Sequence, residues 1–101
     1  MKITNENYQK FKDDNAIIIL AFKATWCGPC DVLTPILKKI EDENDRFAVG
    51  IVDVDEEDIL SAKYGLRNIP TVHILLNGET VNRFTGIKSE KEILDMVNQI
   101  K

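Results

Sequence analysis

Two cysteines, one histidine, three prolines and five glycines are few for a chain of 101 residues, and each scarcity excludes something. No stretch gathers Gly, Ser and Pro into a linker, so residues 1–101 are read as one domain. A chain of this size buries about 65% of its unfolded surface, enough for one core without metals or several disulfides. There is no basic block: 13 Lys and Arg stand against 17 Asp and Glu, a net charge of -4, which leaves no electrostatic footprint for nucleic acid. There is no long hydrophobic run. The longest, residues 16–22, is about a third of a membrane span and lacks the flanks of a signal peptide, so the expectation is a soluble, cytoplasmic protein. Two cysteines cannot make a disulfide framework, and the cytosolic thiol pool would keep them reduced at rest. Disorder is excluded by 44% hydrophobic and 30% charged residues.

The residues that are present alternate between two periodicities. A brief run over 1–4 precedes a short helix over 5–14, with Tyr8 and Phe11 as its apolar edge. Residues 16–22 and 47–54 are β-branched and almost continuously apolar, as strands buried on both faces are. Between them, Val32, Leu33, Ile36, Leu37 and Ile40 form one stripe of a helix over 29–44. Pro35 lies inside that stripe and should bend the helix rather than end it. A short helix over 55–64, with Asp55 as N-cap, stops at Gly65. Strands over 71–76 and 80–85 are joined by Asn77-Gly78, a strong hairpin signal. The capping box Ser89-Glu90-Lys91-Glu92 opens a last helix over 89–100. The order βαβαβαββα predicts an α/β fold in which a central mixed sheet carries helices on both faces.

Both cysteines fall at the start of the second helix, in Trp26-Cys27-Gly28-Pro29-Cys30. Residues three apart at a helix start are neighbours, so Cys27 and Cys30 can reach the separation a disulfide requires. Gly28 permits an unusual backbone, and Pro29 suits a first turn whose N–H groups lack partners. Those free N–H groups and the helix dipole stabilise a thiolate on Cys27, making it the nucleophile, with Cys30 the resolving thiol. The bare spacing also serves as half of many zinc and iron–sulfur sites. With His73 the only histidine and no third cysteine, one chain cannot complete a four-ligand zinc site of the usual Cys and His type. A metal centre shared by two chains stays open as a weaker alternative.

The pentapeptide, the preceding strand and Pro35 resemble the thioredoxin family; so do Tyr64-Gly65-Leu66-Arg67-Asn68-Ile69-Pro70-Thr71, Asn77-Gly78 and Gly86, in the same order along essentially the whole chain. The resemblance implies a thioredoxin fold and a protein-disulfide reductase. In it Cys27 attacks a client disulfide and Cys30 resolves the mixed disulfide. Pro70 would be cis, and the Ile69 backbone would pair with an extended client strand. Trp26, Gly28, Pro29, Ile69, Pro70 and Gly86 would form the apolar surface around Cys27. The chain has no dinucleotide fingerprint, so it would carry electrons without a bound cofactor or metal, as a monomer, recharged by a thioredoxin reductase. A noncatalytic subunit of a larger assembly, using the same surface, is the alternative.

The chain departs from that family at a pair of positions. Ala21 and Ile51 stand where a buried aspartate and lysine are usual, so the customary proton acceptor for the resolving thiol is missing. Losing both members of a buried ion pair is physically coherent, whereas losing one is costly. Asp31 replaces a usual basic residue and reads as a solvated helix-start residue, with altered partner choice as the competing reading. His73 reads as a partly buried sheet residue rather than a general base. The acidic run over 53–58 lacks the spacing and glycine of a calcium loop.

Overall fold

The computed structural model describes residues 1–100. Its elements are α1 (Tyr8–Asp14), β1 (Ile17–Lys23), α2 (Gly28–Glu43), β2 (Ala48–Asp53), α3 (Asp58–Lys63), β3 (Thr71–Leu76), β4 (Glu79–Thr85) and α4 (Glu90–Asn98). The strands form one sheet in the order β2-β1-β3-β4. β1 and β2 run parallel, whereas β3 is antiparallel to both β1 and β4. The mixed sheet is thus the one expected.

The strand expected over residues 1–4 shrinks to a single bridge between Lys2 and Ile51. Ile3 N–H donates to Ile51 O (2.8 Å), and then Thr4 and Asn7 exchange side-chain-to-backbone hydrogen bonds that turn the chain toward α1. Polar residues with good local turns outcompete a longer ladder.

Alternation along β1 divides the core in two. Ile19 and Ala21 face α2 and α4, meeting Leu33, Leu37, Ile40, Ile93 and Val97. Ile18, Leu20 and Phe22 face α1 and α3, meeting Tyr8, Phe11 and Leu60. α2 runs unbroken through Pro35, and the hydroxyl of Thr34 donates to Cys30 O (2.8 Å). Asn77 and Gly78 both take positive φ, 52° and 87°, as the predicted hairpin requires. The predicted capping box at Ser89 and Glu92 is formed in both directions.

The start of α3 differs from expectation. Asp55 is not its N-cap: the helix begins at Asp58, and Glu57 in the cap position makes no side-chain cap. Asn5 Oδ1 reaches across to accept Leu60 N–H (3.1 Å), while Glu57 Oε1 accepts Asn5 N–H (3.0 Å). The cap therefore comes from a residue 55 positions away, a signal that no local pattern carries. Asp55 is released for a task at the site.

Candidate active site

β1 delivers the chain to a short turn, and α2 begins at Gly28 with Cys27 as its N-cap in extended conformation (φ -98°, ψ 109°). An N-cap side chain ordinarily accepts a hydrogen bond from an unpaired N–H of the first turn; here the acceptor is Cys27 Sγ and the donor Cys30 N–H (3.3 Å). The two sulfurs are bonded, with Cα atoms 5.4 Å apart, inside the ordinary disulfide range. Both residues are buried, Cys27 at 5% exposure and Cys30 at 2%, a difference too small to rank them; what distinguishes Cys27 is its cap position. Ala24 completes this small cluster, and Val54 and Ile69 pack against it.

The remaining residues singled out in the sequence gather around it. The Ile69–Pro70 bond is cis, and Pro70 O accepts Gly86 N–H (2.9 Å), which fastens the two loops together. Gly86 has φ +82°, the left-handed region that favours glycine, and a Cβ there would meet open space. Gly28 likewise faces open space, and Pro29 is exposed. Trp26 is 69% exposed, and its indole N–H donates to Asp55 Oδ2 (2.8 Å). Asp55 is a site residue that the sequence reading assigned elsewhere. The Asp53 carboxylate positions it by accepting the N–H groups of Asp55 (2.9 Å) and Glu56 (3.3 Å). An Asp followed two residues later by another Asp after a strand is a readable turn signal of this kind.

Ala21 and Ile51 are register partners across β1 and β2, and Ala21 is 3% exposed within the aliphatic cluster. Two residues further on, Lys23 pairs in register with the buried Asp53. With Thr34, Lys38 and Ile51 they line a depression of about 410 Å³. Asp31 is exposed, as a solvated helix-start residue should be.

His73 lies outside the site: it is 5% exposed, Nδ1 meets Thr80 Oγ1 (3.1 Å), and its ring is edge-on to Tyr64 and Phe22. Burial holds it below its ordinary pKa, with a smaller contribution from Arg83. Among the described residues no three His, Cys, Asp or Glu side chains gather to hold a metal ion, and no helix is long and apolar enough to cross a membrane.

A cysteine pair that can be bonded in one state and present a thiolate at a helix start in the other defines a thiol–disulfide oxidoreductase. The Thioredoxin family profile matches residues 1–99. The chain is 32% identical over 97 residues to thioredoxin of Chlamydia caviae, covering 96% of this chain and 94% of that one. It is 31% identical over 100 residues to thioredoxin of Bacillus subtilis, covering 98% and 95% respectively. Among solved structures, a point mutant of Halobacterium salinarum thioredoxin superposes with a TM-score of 0.90 at 30% identity, covering 98% of this chain and 88% of that one. A reduced Schistosoma mansoni thioredoxin pre-protein gives 0.85 at 27%, covering 99% and 96%. The chain belongs to the thioredoxin family, and its function is protein-disulfide reduction.

Proposed function

We propose that Cys27 is the attacking sulfur and Cys30 the resolving one. The observation that carries this assignment is the Cys30 N–H directed at Cys27 Sγ from the first turn of α2. A donor and the positive helix end favour negative charge on that sulfur over its partner. In the reduced state the Cys27 thiolate attacks one sulfur of a client disulfide, forming a mixed disulfide and expelling the other client sulfur as thiolate. Cys30 then loses its proton, attacks Cys27 Sγ, and the second client thiolate leaves. The client gains two electrons, and the pair ends as the Cys27–Cys30 disulfide.

Trp26, Gly28, Pro29, Ile69, Pro70 and Gly86 make the client-binding rim. The Ile69 backbone, at the edge of the cysteine cluster, pairs with an extended client strand. The dithiol is the whole redox centre and needs no metal or bound cofactor, and the family resemblance supports a monomer working in the cytoplasm. A thioredoxin reductase, an NADPH-dependent flavoprotein, recharges it. Ala21 leaves Cys30 without the family's usual carboxylate, so the departing client thiolate, water or another carboxylate takes its proton.

Insulin-disulfide reduction with chemical or reductase recharging tests the assignment. Cys27→Ser should lose at least about 10³-fold in rate, and Cys30→Ser should accumulate a mixed disulfide on Cys27. Trapping through Cys30 in the Cys27→Ser variant, with Cys30→Ser unreactive, would reverse the roles. Full turnover by Cys27→Ser would sink the reading and leave the assembly-subunit alternative.

A further inference from the structure

Beside the cis-proline loop, on the α1/α3 side of the sheet, lies a second concavity of about 580 Å³ whose chemistry the dithiol does not use. Its wall is built by Arg67 and Asn68 from the segment after α3 and by Arg83 and Thr85 from β4, with Tyr64 and His73 beneath. No Asp or Glu lines it, although the chain carries 17 acidic residues against 13 basic ones. Lys2, Lys10, Lys39, Lys88 and Lys91 each have a carboxylate within 4 Å; among the described residues Arg67 and Arg83 have none, as is also true of Lys12, Lys23, Lys38, Arg46 and Lys63, but these two arginines share the lining of one hollow. Two guanidinium groups around one polar hollow that holds no carboxylate suit a negative charge from outside.

Its position says which negative charge. Arg67 is two residues before Ile69; Thr85 pairs in register with Thr71 and precedes Gly86, whose N–H is bonded to Pro70 O. Hollow and client-binding rim are therefore built on the same two loops. The Thr71 hydroxyl donates to Asn68 O, tying the strand start to the loop that carries Arg67. Both arginines are exposed, and an exposed ion pair is weak, so a free anion gains little here. A client already held through Cys27 or Ile69 presents its side chains at a high effective concentration, which makes weak pairs count.

We propose that Arg67 and Arg83 form an acid-recognition pocket that selects disulfide clients bearing Asp or Glu within a few residues of the attacked cysteine. The proposal rests on the client-binding reading of the Ile69–Pro70 loop given above. Planar guanidinium groups suit a carboxylate, and Asn68 and Thr85 add neutral donors on the same wall.

The test uses two disulfide peptides that differ only in having Glu or Gln on both sides of the cysteine. Wild-type protein should reduce the Glu peptide about 5-fold better in kcat/KM, as two exposed pairs allow, with the difference in KM rather than kcat. The preference should fade by about 0.5 M salt, fall below about 2-fold in Arg67→Ala/Arg83→Ala and invert in Arg67→Glu/Arg83→Glu. Arg67→Lys/Arg83→Lys should restore part of it. Reduction of the Gln peptide is the internal control: its absence in wild-type protein would defeat the dithiol reading, whereas its presence without any Glu preference would defeat only this pocket. A Glu preference that persists unchanged in the double-alanine variant would also overturn the proposal. So would inorganic phosphate at low millimolar concentration inhibiting both peptides equally, because the site would then serve a free anion.

Discussion

On the α2/α4 side of the sheet the core is aliphatic, built from Ile19, Leu37, Ile40, Val49, Val72, Ile74, Ile93 and Val97 with Phe47 and Phe84 at its margins. On the α1/α3 side the same strands meet Tyr8, Phe11, Phe22 and Tyr64, of which Phe22 and Tyr64 pack edge-on against His73 and Tyr8 packs against Tyr64. There the hydroxyls of Tyr8 and Tyr64 share a hydrogen bond at 2.6 Å, and burial followed by that bond raises the Tyr64 pKa. Lys12 and Lys63 each lie over the Tyr8 ring. The helix that carries the dithiol thus rests on a surface with no titratable side chain among its buried members. The opposite face takes the polar and ionisable groups and borders the arginine-lined hollow.

The strongest way to break that contrast is to put a charge into the aliphatic layer. Ala21→Asp should destabilise the protein by about 3 kcal/mol or more at neutral pH, because the carboxylate arrives without a partner. Burial raises the carboxyl's pKa in the folded state, so the penalty is small below the ordinary aspartate value of about 4 and grows as pH rises through the raised one. Urea unfolding at pH 4 and pH 7 measures both, and Ala21→Asp/Ile51→Lys should recover part of the loss. The same variant should speed resolution by Cys30 and alter the pH–rate profile of client reduction. An unchanged profile would remove position 21 from the proton path.

A smaller effect is expected where the α1/α3 layer comes closest to the backbone. A Cβ on Gly50 would lie 2.6 Å from Ile3 Cγ1 and 2.8 Å from Phe11 Cε2, both buried side chains. Gly50→Ala should cost about 1–3 kcal/mol in overpacking, read as a lower urea midpoint with unchanged slope. Smallest is the pH response of His73. Its folded-state pKa is depressed from 6.5, so the neutral form's contribution is complete above 6.5 and declines as pH falls through that value toward the folded one. Stability at pH 5.5 should therefore drop relative to pH 7.5 by more in wild-type protein than in His73→Leu. Equal drops would deny the aromatic face its pH sensitivity.

Much of this was legible in the sequence, and the gaps have physical causes. The continuous apolar runs of β1 and β2, the stripe of α2, Asn77-Gly78 and the Ser89 capping box are local patterns, and each appears where the residues put it. The cysteine pair was legible for the same reason, since its spacing and its helix start lie within four residues. What failed was nonlocal. Asp55 resembles an N-cap until Asn5 supplies α3 from the other end of the chain, and only the folded turn shows that the Asp55 carboxylate belongs to Trp26. Residues 1–4 have strand composition, but Asn7 competes for their backbone. The Arg67–Arg83 hollow was invisible because its charges lie 16 positions apart and meet only through β3–β4 register and the loop after α3.

Trp26 is the chain's single tryptophan, and it sits at the rim of the dithiol, not in either core layer. Its intrinsic fluorescence is therefore a reporter of one corner of the molecule. A melting curve recorded through it reads the release of the indole from Asp55, and circular dichroism recorded alongside reads the sheet, so the two together tell whether that corner loosens before the sheet comes apart.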